Sequence, residues 1–188
     1  MKVKLLNRRI VESSRRRADS TIQPFNHSTV TVFNRQQTKK INTRLLRQIV
    51  GALFEKLEIS EAELGINLVG AKEMAAVNWQ FLQHEGSTDV ITFDHANTGA
   101  RSKEQGAKLH GELFICVDDA ISQAKKFKTI WQTEVVRYVV HGVLHLLGHD
   151  DLKPDLRRKM KHEENRLVRL LAKRFALAQL SRTAKLGA

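Results

Sequence analysis

Cysteine is nearly missing from this chain: among 188 residues there is one, Cys116. A single thiol closes no internal disulfide and supplies no Cys₄ or Cys₂His₂ zinc site. A reducing, cytoplasmic setting is the expectation, and Cys116, inside an apolar strand, reads as a small core residue. No stretch approaches the roughly 18 uncharged apolar residues of a bilayer span, so membrane-spanning classes are excluded and no membrane partner is expected. The N-terminus, MKVKLLNRRI, reaches only a few apolar residues before Arg8 and Arg9 and so lacks the hydrophobic region of a secretory signal. Its Arg- and Ser-rich, acid-poor makeup leaves the organellar transit-peptide reading open. Internal repeats and low-complexity runs are absent too.

What is present is an ordinary globular composition, 41% apolar and 28% charged, of a size that favours one domain with tails. The charge is not ordinary. Of the net +12, residues 1–47 carry +10, residues 48–151 carry −6 and residues 152–188 carry +8. Basic ends around a mildly acidic centre fit a chain whose ends meet a polyanion while the centre uses carboxylates. Nucleic acid leads as the partner class. Solvated Lys/Arg-rich helix faces would give the same numbers, because net charge speaks of non-specific attraction and not of fold.

Residues 1–27 show no sustained period, contain Arg15, Arg16 and Arg17 in a row, and read as a basic, flexible arm. Ser28–Phe33 is β-branched and alternating, a strand; Asn42 or Thr43 then caps a helix with Leu46, Ile49, Val50, Leu53 and Phe54 at helical spacing. Ala62–Val69 is a second strand, and a helix from about Lys72 to Phe81 follows. Thr88–Asp94 and Gly111–Val117 are two further strands, joined as a hairpin through a loop over residues 97–107. Asp118 is placed to cap a helix running to about Phe127, and Thr129 to cap a mostly apolar, interior helix carrying Val135, Val136, Val139, Val140 and Val143. Pro154 suits the first turn of a last helix with Met160, Leu167, Leu171 and Phe175 on its core stripe. The order predicts a single α/β (α+β) domain over 28–175, a mixed four-stranded sheet with about five helices, and a C-terminal tail over 176–188.

The chemistry concentrates in His141-Gly-Val-Leu-His145-Leu-Leu-Gly148-His149-Asp150-Asp151. Two histidines four apart on a helix share a face, the arrangement that zinc hydrolases use and the mark of a zincin-like metal-binding helix. Gly148 lets the backbone leave the helix, so that His149, Asp150 or Asp151 can fold back as a third ligand and leave a position for water. A lone buried histidine is more often a hydrogen-bonded core residue. Two on one face, followed at once by Gly-His-Asp-Asp, are better satisfied by a metal, with zinc ahead of nickel, copper or manganese. The common metalloprotease helix has Glu after its first histidine as general base; Gly142 moves no proton, so peptidase chemistry of that type is not expected. Water activation would fall to the metal, to His149 or Asp150, or to a carboxylate such as Asp89 from another element.

These residues resemble a known family. HGVLHLLGHDD is similar to the His-Gly-x-x-His-Leu-x-Gly-x-x-His signature of the YbeY family of bacterial metal-dependent endoribonucleases. Asn78 lies ten residues before the Thr88-Asp89-Val90-Ile91-Thr92-Phe93 strand, as its counterpart does in that family, and Gly111-Glu112-Leu113-Phe114-Ile115 matches a further family strand. The similarity covers roughly Ser28 to Leu171. It implies one zinc ion per chain in a groove, single-strand-specific RNA cleavage, 3′-end maturation of 16S ribosomal RNA, ribosome quality control and a cytoplasmic home. RNA, the small ribosomal subunit and ribosome-associated proteins are the implied partners; DNA is not. His141 and His145 take the first two ligand positions, and the third falls on Asp151, where most members have His, with His149 as its rival. Leu82 stands where many members carry an Arg thought to touch the phosphate. Both departures read as a subfamily variant.

The expected site is therefore a zinc ion on His141, His145 and Asp151, with Asp89 and His149 as further catalytic candidates and basic ends holding RNA backbone. Trp79 is a candidate for base stacking, although an aromatic on a helix is more often core. His84, His95 and His110 could line the same groove or be ordinary loop histidines. Two rival readings remain: a non-catalytic, ribosome-associated RNA-binding protein with a structural metal, and a metal-dependent hydrolase of a small substrate.

Overall fold

The computed structural model describes residues 2–4, 27–95 and 107–181. Strands β1 (Lys2–Lys4), β2 (His27–Asn34), β3 (Ile59–Val69), β4 (Val90–Asp94) and β5 (Ala107–Cys116) form one mixed sheet in the order β1-β4-β5-β3-β2. β2, β3 and β5 are mutually parallel, whereas β4 pairs antiparallel with β5 as the expected hairpin. The four strands read from the sequence are all present. A fifth, β1, adds to the edge of β4 with Val3 opposite Phe93; it lies within the segment 1–27 expected to be an arm, of which His27 also opens β2 while residues 1 and 5–26 are outside the described residues. So is most of the expected loop, residues 96–106.

Among the described residues five α-helices dress the sheet: α1 (Thr43–Lys56), α2 (Ala71–Leu82), α3 (Val117–Phe127), α4 (Trp131–Leu146) and α5 (Pro154–Arg174). α1 starts as its sequence dictates, the Asn42 side chain accepting from the Leu45 N–H. Its apolar stripe joins α4, α5 and one face of the sheet in the main core, where Leu46, Val50, Leu53, Ile66, Leu113 and Leu144 are fully buried. α2 covers part of the other face, its Met74 packed in a second cluster with Val69, Ile91, Phe93 and Cys116 of the sheet. Each such side chain taken wholly out of water contributes about 1.5–3 kcal/mol.

Two caps differ from expectation. Cys116 precedes α3 and Asp118 sits inside its first turn, where its carboxylate accepts from the first N–H of α2 (Ala71, 2.8 Å) and from the Thr38 hydroxyl (2.7 Å). Ile130, not Thr129, precedes α4, and the Thr129 hydroxyl donates instead to Glu134, 2.6 Å. In both places a partner distant in sequence, or one turn on, outcompetes the local cap. The segment expected as a tail opens with a 3₁₀ helix, Leu177–Ser181, whose Leu177 and Leu180 are buried in the main core, so packing runs to Ser181. Among the described residues no helix is long and apolar enough to cross a membrane.

Candidate metal centre and its cleft

α4 is buried along most of its length and lies against β4 and β5. The approach is close because residue 142 is glycine: a Cβ there would lie 2.5 Å from Cδ2 of the fully buried Leu113. The absence of the protease glutamate thus has a packing cause, since position 142 meets the sheet. Gly148, at φ 93°, ends the helix in the left-handed region, and the His149 N–H closes the turn on the Leu144 carbonyl, 3.0 Å.

The turn brings His141, His145 and Asp151 together, one ligand atom from each within 4.8 Å of the others. Each ring is held from behind. His141 Nδ1 donates to Glu164 Oε2 at 3.0 Å, and His145 Nδ1 donates to the His149 carbonyl at 3.0 Å. A carboxylate and a carbonyl only accept, so both Nδ1 atoms carry protons, and the Nε2 atom is the one each ring has to offer to an ion. Those two Nε2 atoms face each other at 3.0 Å, with Asp151 oxygens 3.9 and 3.8 Å away. Two imidazoles that turn their Nε2 atoms to one point beside a carboxylate are a donor set for zinc and similar ions. Burial, reinforced by His141, pushes the His145 pKa down to about 4, so this ring is neutral and ligand-ready at physiological pH.

Glu164, on α5, escaped the sequence reading. It is 3% exposed and accepts from Arg137 Nη1 and Lys161 Nζ, both at 2.8 Å, as well as from His141. Burial would raise its pKa; these three partners outweigh burial and hold it at about 2, a fixed anion behind the first ligand. A signal existed: Glu164 occupies the buried face of α5 four residues after Met160 and three before Leu167, an acid where the stripe calls for an apolar side chain.

Asp89, exposed at the start of β4, lines the same cleft of about 530 Å³ as His141 and Asp151. Its Oδ1 accepts from the Val90 N–H, 2.9 Å, and Asn78, buried, braces the preceding loop through the Gly86 carbonyl, 2.9 Å. The imidazole of His149 is exposed and outside the three-ligand group; its contribution there is its carbonyl. Asp150 Oδ1 accepts from the Leu152 N–H and shapes the turn. Trp79, His84, His95 and His110 are not among the cleft's lining residues. His95 and His110 pair instead with Glu112 and Glu63, at 3.7 and 3.5 Å. Cys116 is wholly buried, and burial pushes its thiol up to about 12.

The family model of endoribonuclease YbeY matches residues 31–172. Endoribonuclease YbeY of Chlorobium phaeovibrioides is 34% identical over 102 residues, which are 54% of this chain and 64% of that protein. The Chlorobium luteolum protein of the same name is 29% identical over 71% of this chain and 91% of its own length. That of Bacteroides thetaiotaomicron is 31% identical over 69% and 86%. The match therefore spans just under two thirds of the first relative and most of the other two. The solution structure of TM1509 from Thermotoga maritima shares the fold, with a TM-score of 0.57 at 20% identity over 85% of this chain and 99% of that one.

Proposed function

Because the chain belongs to the endoribonuclease YbeY family, we propose that it is a zinc-dependent endoribonuclease specific for single strands, acting in 3′-end maturation of 16S ribosomal RNA and in ribosome quality control. The reading places it in the cytoplasm with the small ribosomal subunit and its proteins as partners. The observation that carries it is the pair of facing Nε2 atoms on His141 and His145, each ring locked through Nδ1, with the Asp151 carboxylate beside them. These three residues would hold one ion. When bound, the ion supplies Lewis acidity to the phosphodiester and acidifies water.

The chain's own groups divide the remaining work. Glu164 fixes the His141 tautomer and its negative charge strengthens that ligand's basicity, while the His149 carbonyl does the same for His145. Asp89, which lines the same cleft as His141 and Asp151, is assigned to accept a proton from the attacking nucleophile, and His149, exposed in the turn that follows α4, is assigned to return one to the leaving oxygen. Lys126, Arg157 and Lys161 line the cleft and hold phosphates, and the Arg-rich sequence of residues 5–26 adds long-range attraction for the polyanion through its charge. With Leu82 offering no charge, these cations and the ion meet the charge that develops on the phosphoryl group.

Side-chain exposures of 21% for His141 and 30% for Asp151 open the ligand group to the cleft, which favours catalysis over a closed structural site. The test is elemental analysis of wild type and His145→Ala beside cleavage of a ribosomal RNA fragment by both. Near-stoichiometric zinc and cleavage lost together in the variant are expected; zinc without cleavage by the wild type would turn the conclusion to a structural metal in an RNA-binding protein.

A further inference from the structure

The cleft extends beyond the ligand group to a wall formed by α3 and α4, and that wall carries three features the chemistry above leaves unused. Phe127, the last residue of α3, is 62% exposed. The helix stops there because Lys128 turns into the left-handed region at φ 54° and the Thr129 N–H closes on the Ala124 carbonyl. The Lys126 ammonium stands 5.5 Å from the Phe127 ring centroid. Gln123, one turn earlier on the same face of α3, also lines the cleft, and its buried Oε1 has no hydrogen-bond partner among the described residues. Tyr138, on α4 one turn before His141, is 4% exposed, and its hydroxyl is likewise buried without a partner. Burial raises the Tyr138 pKa, so the phenol keeps its proton and remains a donor.

Buried polar atoms without partners are unfavourable in the free protein, and they are satisfied when a ligand brings its own donors and acceptors. An exposed aromatic face flanked by cations takes a flat π-system attached to phosphates. We propose that this wall is a nucleobase subsite: an unpaired base of the RNA stacks on Phe127 and turns its polar edge to the Tyr138 hydroxyl and the Gln123 amide oxygen, while Lys126, Arg157 and Lys161 take the adjoining phosphates. The ligand's identity rests on the endoribonuclease reading above. The subsite replaces Trp79 as the stacking platform, since Trp79 lies outside the cleft. It also accounts for a preference for single strands, because a paired base cannot leave its stack to reach Phe127.

The test is fluorescence anisotropy of the full, metal-loaded protein with short fluorescent 2′-O-methyl single strands, either intact or carrying abasic positions. Phe127→Ala is expected to weaken binding of the intact strand about tenfold, within the range of base–aromatic stacking, and to leave the salt dependence unchanged. On the abasic strand the same variant should bind as wild type does. Tyr138→Phe is expected to weaken intact-strand binding about threefold while its melting temperature holds or rises, an outcome that a structural role for the hydroxyl does not give. Phe127→Trp should restore affinity and show quenching by the bound base. Wild-type affinity in both Phe127→Ala and Tyr138→Phe would overturn the subsite and leave the endoribonuclease reading intact. A wild type that binds no single strand would remove both.

Discussion

Replacing Glu164 by Gln removes one charge from a buried position and keeps the side chain's size. In the native protein that carboxylate accepts from Arg137, Lys161 and His141 at 2.8, 2.8 and 3.0 Å. Its pKa, moved from 4.5 to about 2, is worth about 3 kcal/mol at about 1.36 kcal/mol per unit. Because the folded value is depressed, this stability is present above about 4.5 and is lost as pH falls toward 2. The Gln variant keeps some of the hydrogen bonding, and Lys161, more than half exposed, returns to water at little cost. A loss of about 2–3 kcal/mol at neutral pH is expected, shrinking in acid as the wild type loses its own advantage. Chemical denaturation across that pH range reads it. The second consequence falls on the metal: a His141 ring no longer backed by a carboxylate should bind zinc about 10–100-fold more weakly, measured by competition with a chromophoric chelator. A Glu164→Gln protein with unchanged zinc affinity would refute the role given to Glu164, and unchanged stability through the acid range would refute its placement as a fixed anion.

Two further outcomes are expected. Gly142→Ala drives a methyl to 2.5 Å from Leu113 Cδ2 in a fully packed core; it should cost about 1–3 kcal/mol, with partial recovery in the Gly142→Ala, Leu113→Ala double variant, read from melting temperatures. His95, whose pKa is raised by its pairing with Glu112 against the opposing effect of burial, adds stability that is full below about 6.5 and disappears as pH rises through its elevated value. His95→Gln should therefore be less stable than wild type in mild acid and equal to it in alkali, with urea midpoints over pH as the measure and pH-independent differences as the refuting result.

His141 and His145 were legible from sequence because helical spacing alone puts both imidazoles on one face, and Gly148 announced the turn that brings Asp151 to them. The strands β2 to β5 were legible from alternation and from β-branched runs. Glu164 was not, since the Lys-, Arg- and Glu-rich run around it reads as a solvated face until its place on the Met160–Leu167–Leu171 stripe is counted. The caps went astray for the opposite reason: Asp118 and Thr129 have the right side chains for local capping, and tertiary partners took them. Phe127 was invisible because an aromatic at a helix end signals core until the neighbouring left-handed Lys128 shows the ring turned outward. Sheet order, with β4 inserted between β1 and β5, depends on crossovers that no local pattern encodes.

The β4–β5 pair also separates two liberties. Asp89 enters β4 beside Cys116, the last residue of β5, the Cys116 N–H meeting the Asp89 carbonyl at 2.9 Å, and the cleft opens at that end. The connection from Asp94 to Ala107 leaves from the far end, five strand residues away, or about 17 Å at the usual rise per residue. A fluorophore or affinity handle attached at the exposed Lys108 of β5 rides on the same sheet as the chemistry at the end away from the cleft.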